Sequence, residues 1–330
     1  MIKTNIEKGF KEISGKNICV IGDIMLDIYL FGDVARISPE APVQVFEQKT
    51  STSKLGGAAN VALNIKTLGA NPYLLGIIGE DNNGEKLLEE MNKEGLITDG
   101  IIKVKDRPTT SKTRVIAASH HLIRIDTESK KELNINEEEI IEQFLKKNIK
   151  LFDSIILEDY NKGVLTKQLI RKIIELANKN GVKILVDPKF DNFFEYKNVF
   201  LFKPNLKELE DAFGRKTKND NDINELCIKL IEMINCDNLV LTMGEAGIKL
   251  FIKTKDKIQQ ETIKTRARKV ADVSGAGDTV ISTLSVCLAA GLNIKDAVTV
   301  SNIAAGLVVE EVGIVPIHKE NLLAYIKNDY

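Results

Sequence analysis

Residues 153–188, DSIILEDYNKGVLTKQLIRKIIELANKNGVKILVDP, place two short apolar runs on either side of one long helical pattern. SIIL and KILV are continuous and rich in β-branched residues, which suits strands covered on both faces. Between them, residues 165–180 space their apolar side chains as a helix does. Strand, helix and strand in that order predict a βαβ unit with parallel strands. The same alternation continues outward. Toward the N-terminus, NICVIGDI (17–24) and PYLLGIIG (72–79) read as strands. Helices are predicted over 57–69 and 82–95, stopping at Gly69 and Gly95, the residue type that most readily takes the left-handed backbone after a helix. Toward the C-terminus, NVFLFKP (198–204) and NLVLTMG (238–244) read as strands, with helices over 205–213 and 222–235. The expected fold is α/β, a central and mostly parallel sheet flanked by helices.

Two regions break this rhythm. Residues 25–50 and 101–126 contain β-rich sequence without an intervening helix, as in APVQVFEQ (41–48) and SKTRVIAASHHLIRID (111–126). They are expected to form a small β-sheet across the substrate end of the main sheet, a lid; an extension of the main sheet's edge fits the same pattern. No Pro-, Gly- or Ser-rich linker and no repeat divides the chain, so residues 1–330 are expected to form a single domain.

Composition narrows the function classes. The chain has 46 Lys+Arg against 47 Asp+Glu, a formal net charge of -1, and no basic tail or stripe. That argues against nucleic acid or an anionic membrane as partner. No run of about 18 apolar residues is present, so no membrane span is expected. The N-terminal MIKTNIEKGFKEISGKN lacks the apolar centre and cleavage site of a secretory signal, and the cytoplasm is the expected location. Cys19, Cys227, Cys236 and Cys287 form no C-x-x-C pair and read as small buried hydrophobes. His120, His121 and His318 have no metal-ligand spacing.

The sharpest local motif is ADVSGAGDTVISTLSVCLAAG (271–291), where Gly275, Ala276 and Gly277 precede Asp278 and a long apolar helix. A turn of small residues at a helix start exposes backbone N–H groups at the positive end of the helix dipole, a ready anion site. A carboxylate beside it suits proton removal from an alcohol attacking a phosphoryl group. For an isolated Gly-x-Gly-Asp the simpler account is a tight turn whose aspartate caps the helix. Upstream, Gly56 and Gly57 precede a helix carrying Asn60 in its first turn, which suits a sugar hydroxyl or simply a polar helix start. Asp23 and Asp27 lie at and just after the end of the first strand, where open α/β sheets place ligands. In KPNLKELE (203–210), Asn205 and Glu208 stand three apart, able to hold Mg²⁺ through water or to cap the helix. LTMGEAG (241–247) suits either nucleotide approach or a hairpin turn. Lys162, Lys189, Arg36, Arg114 and Arg124 are candidates for a phosphate on the substrate.

The order of these motifs resembles a known family. GGAANVALNIKTLGANPYLLGIIGEDNNG (56–84) and DVSGAGDTVISTLSVCLAAG (272–291) look like the two signatures of the ribokinase-like carbohydrate kinases. With GDIMLD, ISPEAPVQVFEQ, SKTRVIAASHHLIRID, LEDYNKGVLT, DPK and KPNLKELE, the chain is similar to bacterial D-glycero-β-D-manno-heptose 7-phosphate kinases, in the form without an attached nucleotidyltransferase. The resemblance implies a ribokinase-like fold with a small β-sheet lid that often pairs two subunits. It implies ATP and Mg²⁺, with a monovalent cation in some relatives. Asp278 matches the base that deprotonates the anomeric hydroxyl, and Gly275, Ala276 and Gly277 match the anion hole. Asn205 and Glu208 match the pattern associated with Mg²⁺ and phosphate, Thr242, Gly244 and Gly247 the nucleotide-side loop, and Asn302 the residue near adenine. Asp27, Gly56, Gly57 and Asn60 match the sugar-hydroxyl set, while Lys162, Lys189, Arg36 and Arg124 are assigned to the substrate's phosphate. The competing readings are a kinase of fructose, ribose or 2-keto-3-deoxygluconate on the same fold, and a catalytically silent sugar-binding protein. An adenylyltransferase would need an H-x-G-H-type motif, which the sequence lacks.

Overall fold

The computed structural model describes residues 2–118, 120–265, 270–311 and 313–329; Ser119, inside the predicted lid, lies outside them. The described strands are β1 (Asn17–Gly22), β2 (Ile24–Ile37), β3 (Gln44–Gly57), β4 (Asn71–Gly79), β5 (Ile101–Val104), β6 (Ser111–Ala117), β7 (His120–Thr127), β8 (Ser154–Glu158), β9 (Lys183–Asp187), β10 (Leu201–Phe202), β11 (Asn238–Thr242), β12 (Ile248–Lys253) and β13 (Ile258–Ile263). Nine of them form one sheet in the order β13-β12-β11-β10-β9-β8-β1-β4-β5. From β11 to β5 all pairings are parallel, and β12 and β13 add an antiparallel hairpin at one edge. The expected mostly parallel sheet is present, with helices on both faces.

The double covering explains why the strands read as continuous apolar runs. Successive side chains of a strand point to opposite faces. In β1, Ile18 and Val20 enter one hydrophobic core, while Cys19 and Ile21 enter the other. In β8, Ile156 joins the first core, and Ile155 and Leu157 join the second. The four cysteines are all free and buried, as expected of small apolar fillers.

The sequence boundaries shift in places. The strand expected over 198–204 pairs only at Leu201–Phe202, because Asn198 is left-handed (φ 62°) and Pro204 has no N–H to donate. The helices Ile135–Asn148, Ile294–Val308 and Lys319–Asp329 were not anticipated. The first of these carries a reciprocal capping box between Asn134 and Glu137, a signal that N-I-N-E displays in the sequence.

The small sheet has the order β3-β2-β6-β7. Its limits differ from those expected. β5 pairs with β4 at the edge of the main sheet, so residues 101–104 do not belong to the lid. The first arm runs on to Gly57, where it delivers the helix Ala58–Thr67. Gly57 sits at φ 57°, ψ -134°, and a Cβ there would meet the Asp23 carbonyl oxygen at 2.4 Å. Only glycine permits this turn from strand to helix.

Candidate active site

The site lies at the C-terminal ends of β8 and β9, against the N-terminus of the helix Ala276–Ala289. Gly275, at φ 80°, caps that helix without a side-chain bond. The N–H groups of Gly277 and Asp278 have no acceptor among the described residues, whereas that of Ala276 turns back to the Val273 carbonyl at 3.3 Å. The positive end of a helix with open donors therefore faces the cavity.

Asp278 is 3% exposed. Its two carboxylate oxygens each accept one hydrogen bond at 2.7 Å, one from Asn60 Nδ2 and the other from the Tyr160 hydroxyl. Burial pushes its pKa up to about 6, against the opposing effect of those two bonds. The carboxyl is thus held in place by two donors, yet is more basic than an exposed aspartate, as a proton acceptor near neutral pH requires.

Beside it lie two further buried acids. Single carboxylate oxygens of Glu158, Asp187 and Asp278 lie within 4.8 Å of one another. Lys203 Nζ is 2.8 Å from Asp187 Oδ2, and this ammonium is 3% exposed. Neither Glu158 carboxylate oxygen has a hydrogen-bond partner among the described residues. Burial, reinforced by the charges of Asp187 and Asp278, holds the Glu158 carboxyl well above its usual range. Lys189 is ion-paired with Glu208. Burial alone would lower the Lys189 pKa, but the charges of Asp187 and Glu208 outweigh it and raise the group to about 12.

Eleven of the residues expected at the site line one cavity of about 880 Å³: Gly275, Ala276, Gly277, Asp278, Lys189, Asn205, Glu208, Thr242, Gly244, Gly247 and Asn302. Asn205 and Glu208 form a reciprocal capping box, so the structural reading of that motif is realised. Their helix start nonetheless forms part of the cavity wall. The loop 243–247 is both the hairpin turn into β12 and a lining segment. Asn302 Nδ2 donates to the Lys264 carbonyl at 2.8 Å, fixing the neighbouring rim.

The other expected residues are distributed differently. Asn60 holds the base, and its Oδ1 accepts from Asn64 Nδ2 at 3.2 Å. Asp27 is buried and paired with Arg114. Gly56 packs so closely on Asp27 that a Cβ would meet its Oδ2 at 2.1 Å. Lys189, assigned to the substrate's phosphate, lines the cavity with its Nζ paired to Glu208 and 5.4 Å from the centroid of the Tyr160 ring. Lys162 Nζ is taken by Glu128 at 2.7 Å. Arg124 is paired with Asp126 on β7. Arg36 is not brought to the site: it lies at the outer end of β2, 3.7 Å from Glu47 and 66% exposed. At about 3.3 Å per residue it is roughly 30 Å along the strand from Asp27.

Four site residues went unassigned in the sequence, and a fifth, Asp23, was placed only at the ligand end of the first strand. Tyr160, Asp187 and Lys203 line the cavity, and Glu158 stands beside them. Asp23 accepts the backbone N–H groups of Tyr160 (2.8 Å), Lys162 (3.0 Å) and Val164 (3.3 Å), and so fixes the loop that carries Tyr160. The available signal was an acidic residue at a strand's C-terminal end followed by a turn, as in LEDYN and VDPK.

A buried carboxylate at a helix N-terminus, set over a mostly parallel sheet with a separate small sheet, is the arrangement of a ribokinase-like α/β fold. Solved structures agree. Arabidopsis thaliana ribokinase complexed with ribose and ATP superposes at TM-score 0.73, with 22% identity, over 95% of this chain and 99% of that one. Phosphofructokinase-2 from Escherichia coli in complex with potassium gives 0.75 and 18%, over 95% and 99%. Residues 15–319 match the pfkB family carbohydrate kinase model, and the chain belongs to that family; it is a carbohydrate kinase. Among curated relatives it is 39% identical over 315 residues to the bifunctional protein HldE of Desulfatibacillum aliphaticivorans, covering 96% of this chain and 64% of that protein. It is 43% identical over 298 residues to the bifunctional protein HldE of Aliarcobacter butzleri (strain RM4018), covering 90% and 61%. The chain thus spans less than two thirds of the length of these relatives.

Proposed function

We propose that this chain transfers the γ-phosphoryl group of ATP to the anomeric hydroxyl of D-glycero-β-D-manno-heptose 7-phosphate, giving the 1,7-bisphosphate on the way to ADP-heptose. The observation that carries the reading is Asp278, a buried carboxylate raised to about 6 and held between two donors at the edge of the cavity. The choice of sugar is supported by the ISPEAPV segment and by 39–43% identity to proteins named HldE. In this scheme Asp278 takes the proton of the attacking hydroxyl. The open N–H groups of Gly277 and Asp278 receive charge that develops on the phosphoryl oxygens.

The residues fit a divalent cation. Among the described residues, Glu158, Asp187, Glu208 and Asp278 have Lys189 and Lys203 as their neighbouring lysines, so a polyphosphate meets excess negative charge there unless a cation accompanies it. The partnerless oxygens of Glu158 and the neighbouring carboxylates are the hard oxygen donors that Mg²⁺ prefers. Asp187, Glu158 and Glu208 would hold Mg²⁺, directly or through water. The ion would neutralise phosphate charge.

Residues 1–330 act in this reading as one kinase unit in the cytoplasm. Among the described residues, no helix is long and apolar enough to cross a membrane. The exposed Ile123 and Ile125 of β7 support pairing of two copies through the small sheet, which mass measurement in solution tests.

A coupled ADP-release assay with Mg-ATP and a panel of sugars and sugar phosphates tests the substrate. Turnover confined to unphosphorylated hexoses would refute the heptose phosphate and keep the kinase. Sugar binding without turnover would support a silent binder.

The Tyr160 hydroxyl gives a sharper prediction. Asp278 must be ionised to accept a proton, so kcat/KM falls as pH drops through about 6. The Tyr160 bond favours the ionised form. Tyr160→Phe is therefore expected to move this acid limb to higher pH while the protein stays folded. A pH profile identical to wild type would show that Tyr160 does not tune the base.

A further inference from the structure

The inward face of the small sheet carries a charge pattern that the kinase chemistry above does not use. Residues paired across a sheet point to the same side. Asp27 on β2 is opposite Lys54 on β3 and Lys112 on β6, and Lys112 is opposite Asp126 on β7. Two residues further on, Tyr29 is opposite Arg114, which is opposite Arg124. This side therefore displays four cations, Lys54, Lys112, Arg114 and Arg124, against two carboxylates, Asp27 and Asp126. It is the side that meets the active site, because Lys112 Nζ lies over the Tyr160 ring, 5.3 Å from its centroid.

Three of the cations are already engaged. Arg114 is paired with Asp27, Arg124 with Asp126, and Lys54 Nζ donates to the Ile314 carbonyl at 2.7 Å. Lys112 has no acceptor within hydrogen-bonding distance among the described residues; its close neighbour is the face of Tyr160. Burial lowers the Lys112 pKa, with the charge of Asp27 opposing it, so this ammonium would gain from an anionic partner. Tyr160 itself donates to Asp278. One side chain thus touches both the base and the unpaired cation.

We propose that Lys112 is the specificity residue that receives the phosphate monoester of the acceptor sugar, at the end remote from the reacting hydroxyl. This rests on the sugar-phosphate reading above and moves the phosphate contact away from Lys189 and Arg36. Lys189 Nζ also lies against the Tyr160 ring, 5.4 Å from its centroid, but it is already ion-paired with Glu208, and Arg36 lies at the outer end of the sheet. Arg124 stands on the same face, diagonal to Lys112 and opposite Arg114, and would support it once it releases Asp126.

The test compares kcat/KM for the sugar phosphate with that for the same sugar lacking the phosphate, in wild type and in Lys112→Met. Methionine keeps the length of the stem and removes the charge. A lost charge-assisted hydrogen bond lowers kcat/KM for the phosphorylated sugar by about 10- to 100-fold. The unphosphorylated sugar should change by less than about 3-fold, with unaltered thermal unfolding. Inorganic phosphate should compete with the sugar phosphate in wild type and lose that effect in the variant, and Lys112→Arg should restore part of the preference. Equal losses on both sugars would overturn the proposal in favour of a packing role. Retained preference for the phosphorylated sugar in Lys112→Met would overturn Lys112 alone. A wild type that prefers the unphosphorylated sugar would instead overturn the substrate reading, and Lys112 with it.

Discussion

Asp278→Asn lowers phosphoryl transfer by about 10²- to 10⁴-fold, the range that a positioned general base contributes, and leaves nucleotide binding nearly unchanged. The amide cannot accept the hydroxyl proton, while the cavity wall at Asn205, Thr242 and Gly247 is untouched. The same substitution has an opposite effect on stability. The folded pKa of Asp278, about 6, lies above its ordinary 3.8, so its stabilising contribution is complete below 3.8 and is lost as pH rises through 6. At pH 7.5 the wild type therefore carries a buried charge that the asparagine lacks. The difference is at most about 3 kcal/mol at 1.36 kcal/mol per unit, and it is reduced because the new amide presents N–H where one of the donors Asn60 and Tyr160 also points. The variant is expected to unfold at a higher temperature than wild type at pH 7.5, with the gap closing toward pH 4. Calorimetry alongside single-turnover assays measures both effects. Near-normal turnover would remove Asp278 from the role of base.

The site was legible where local chemistry writes itself into a short motif. Gly275 and Gly57 must be glycine because their backbones are left-handed, and each marks a helix start that faces the ligand end of the sheet. Asp278 and Asn205 follow from the same kind of local signal. The remaining residues come together only by tertiary folding. Glu158, Asp187 and Lys203 end separate strands, and nothing in their immediate neighbours says that the strands are adjacent in the order β8-β9-β10. The cations show the limit most plainly. Arg36 and Lys112 look alike in sequence, each in a β-rich stretch. Register decides between them, because Lys112 is opposite Asp27 whereas Arg36 is opposite Val45, far along the same sheet. The lid's boundary had the same origin: Ile101–Val104 reads as any other short strand, and only its pairing with β4 assigns it to the main sheet.

Lys203→Met is expected to cost about 3–5 kcal/mol of folding stability, the usual penalty for removing one partner of a buried ion pair. Lys203 is 3% exposed and bonded to Asp187, and its charge also lowers the proton affinity of Glu158 and Asp278. Without it, three buried carboxyl groups face one another with Lys189 as the remaining neighbouring lysine among the described residues. The pH dependence separates this from loss of packing. Glu158 already has its folded pKa raised well above 4.5, so its contribution is present below 4.5 and lost as pH rises through the folded value. Removing Lys203 raises that folded value further. The stability gap between variant and wild type should therefore be widest at alkaline pH and narrow as pH falls toward 4.5, because protonation removes the charge that the lysine had balanced. Urea unfolding at several pH values measures the gap. A gap independent of pH would mean that Lys203 acts through the apolar contacts of its stem. In the charge-balance account, adding Asp187→Asn to Lys203→Met should restore part of the loss at pH 8 by removing the carboxylate that Lys203 pairs with, a coupling that a purely steric role for Lys203 would not produce.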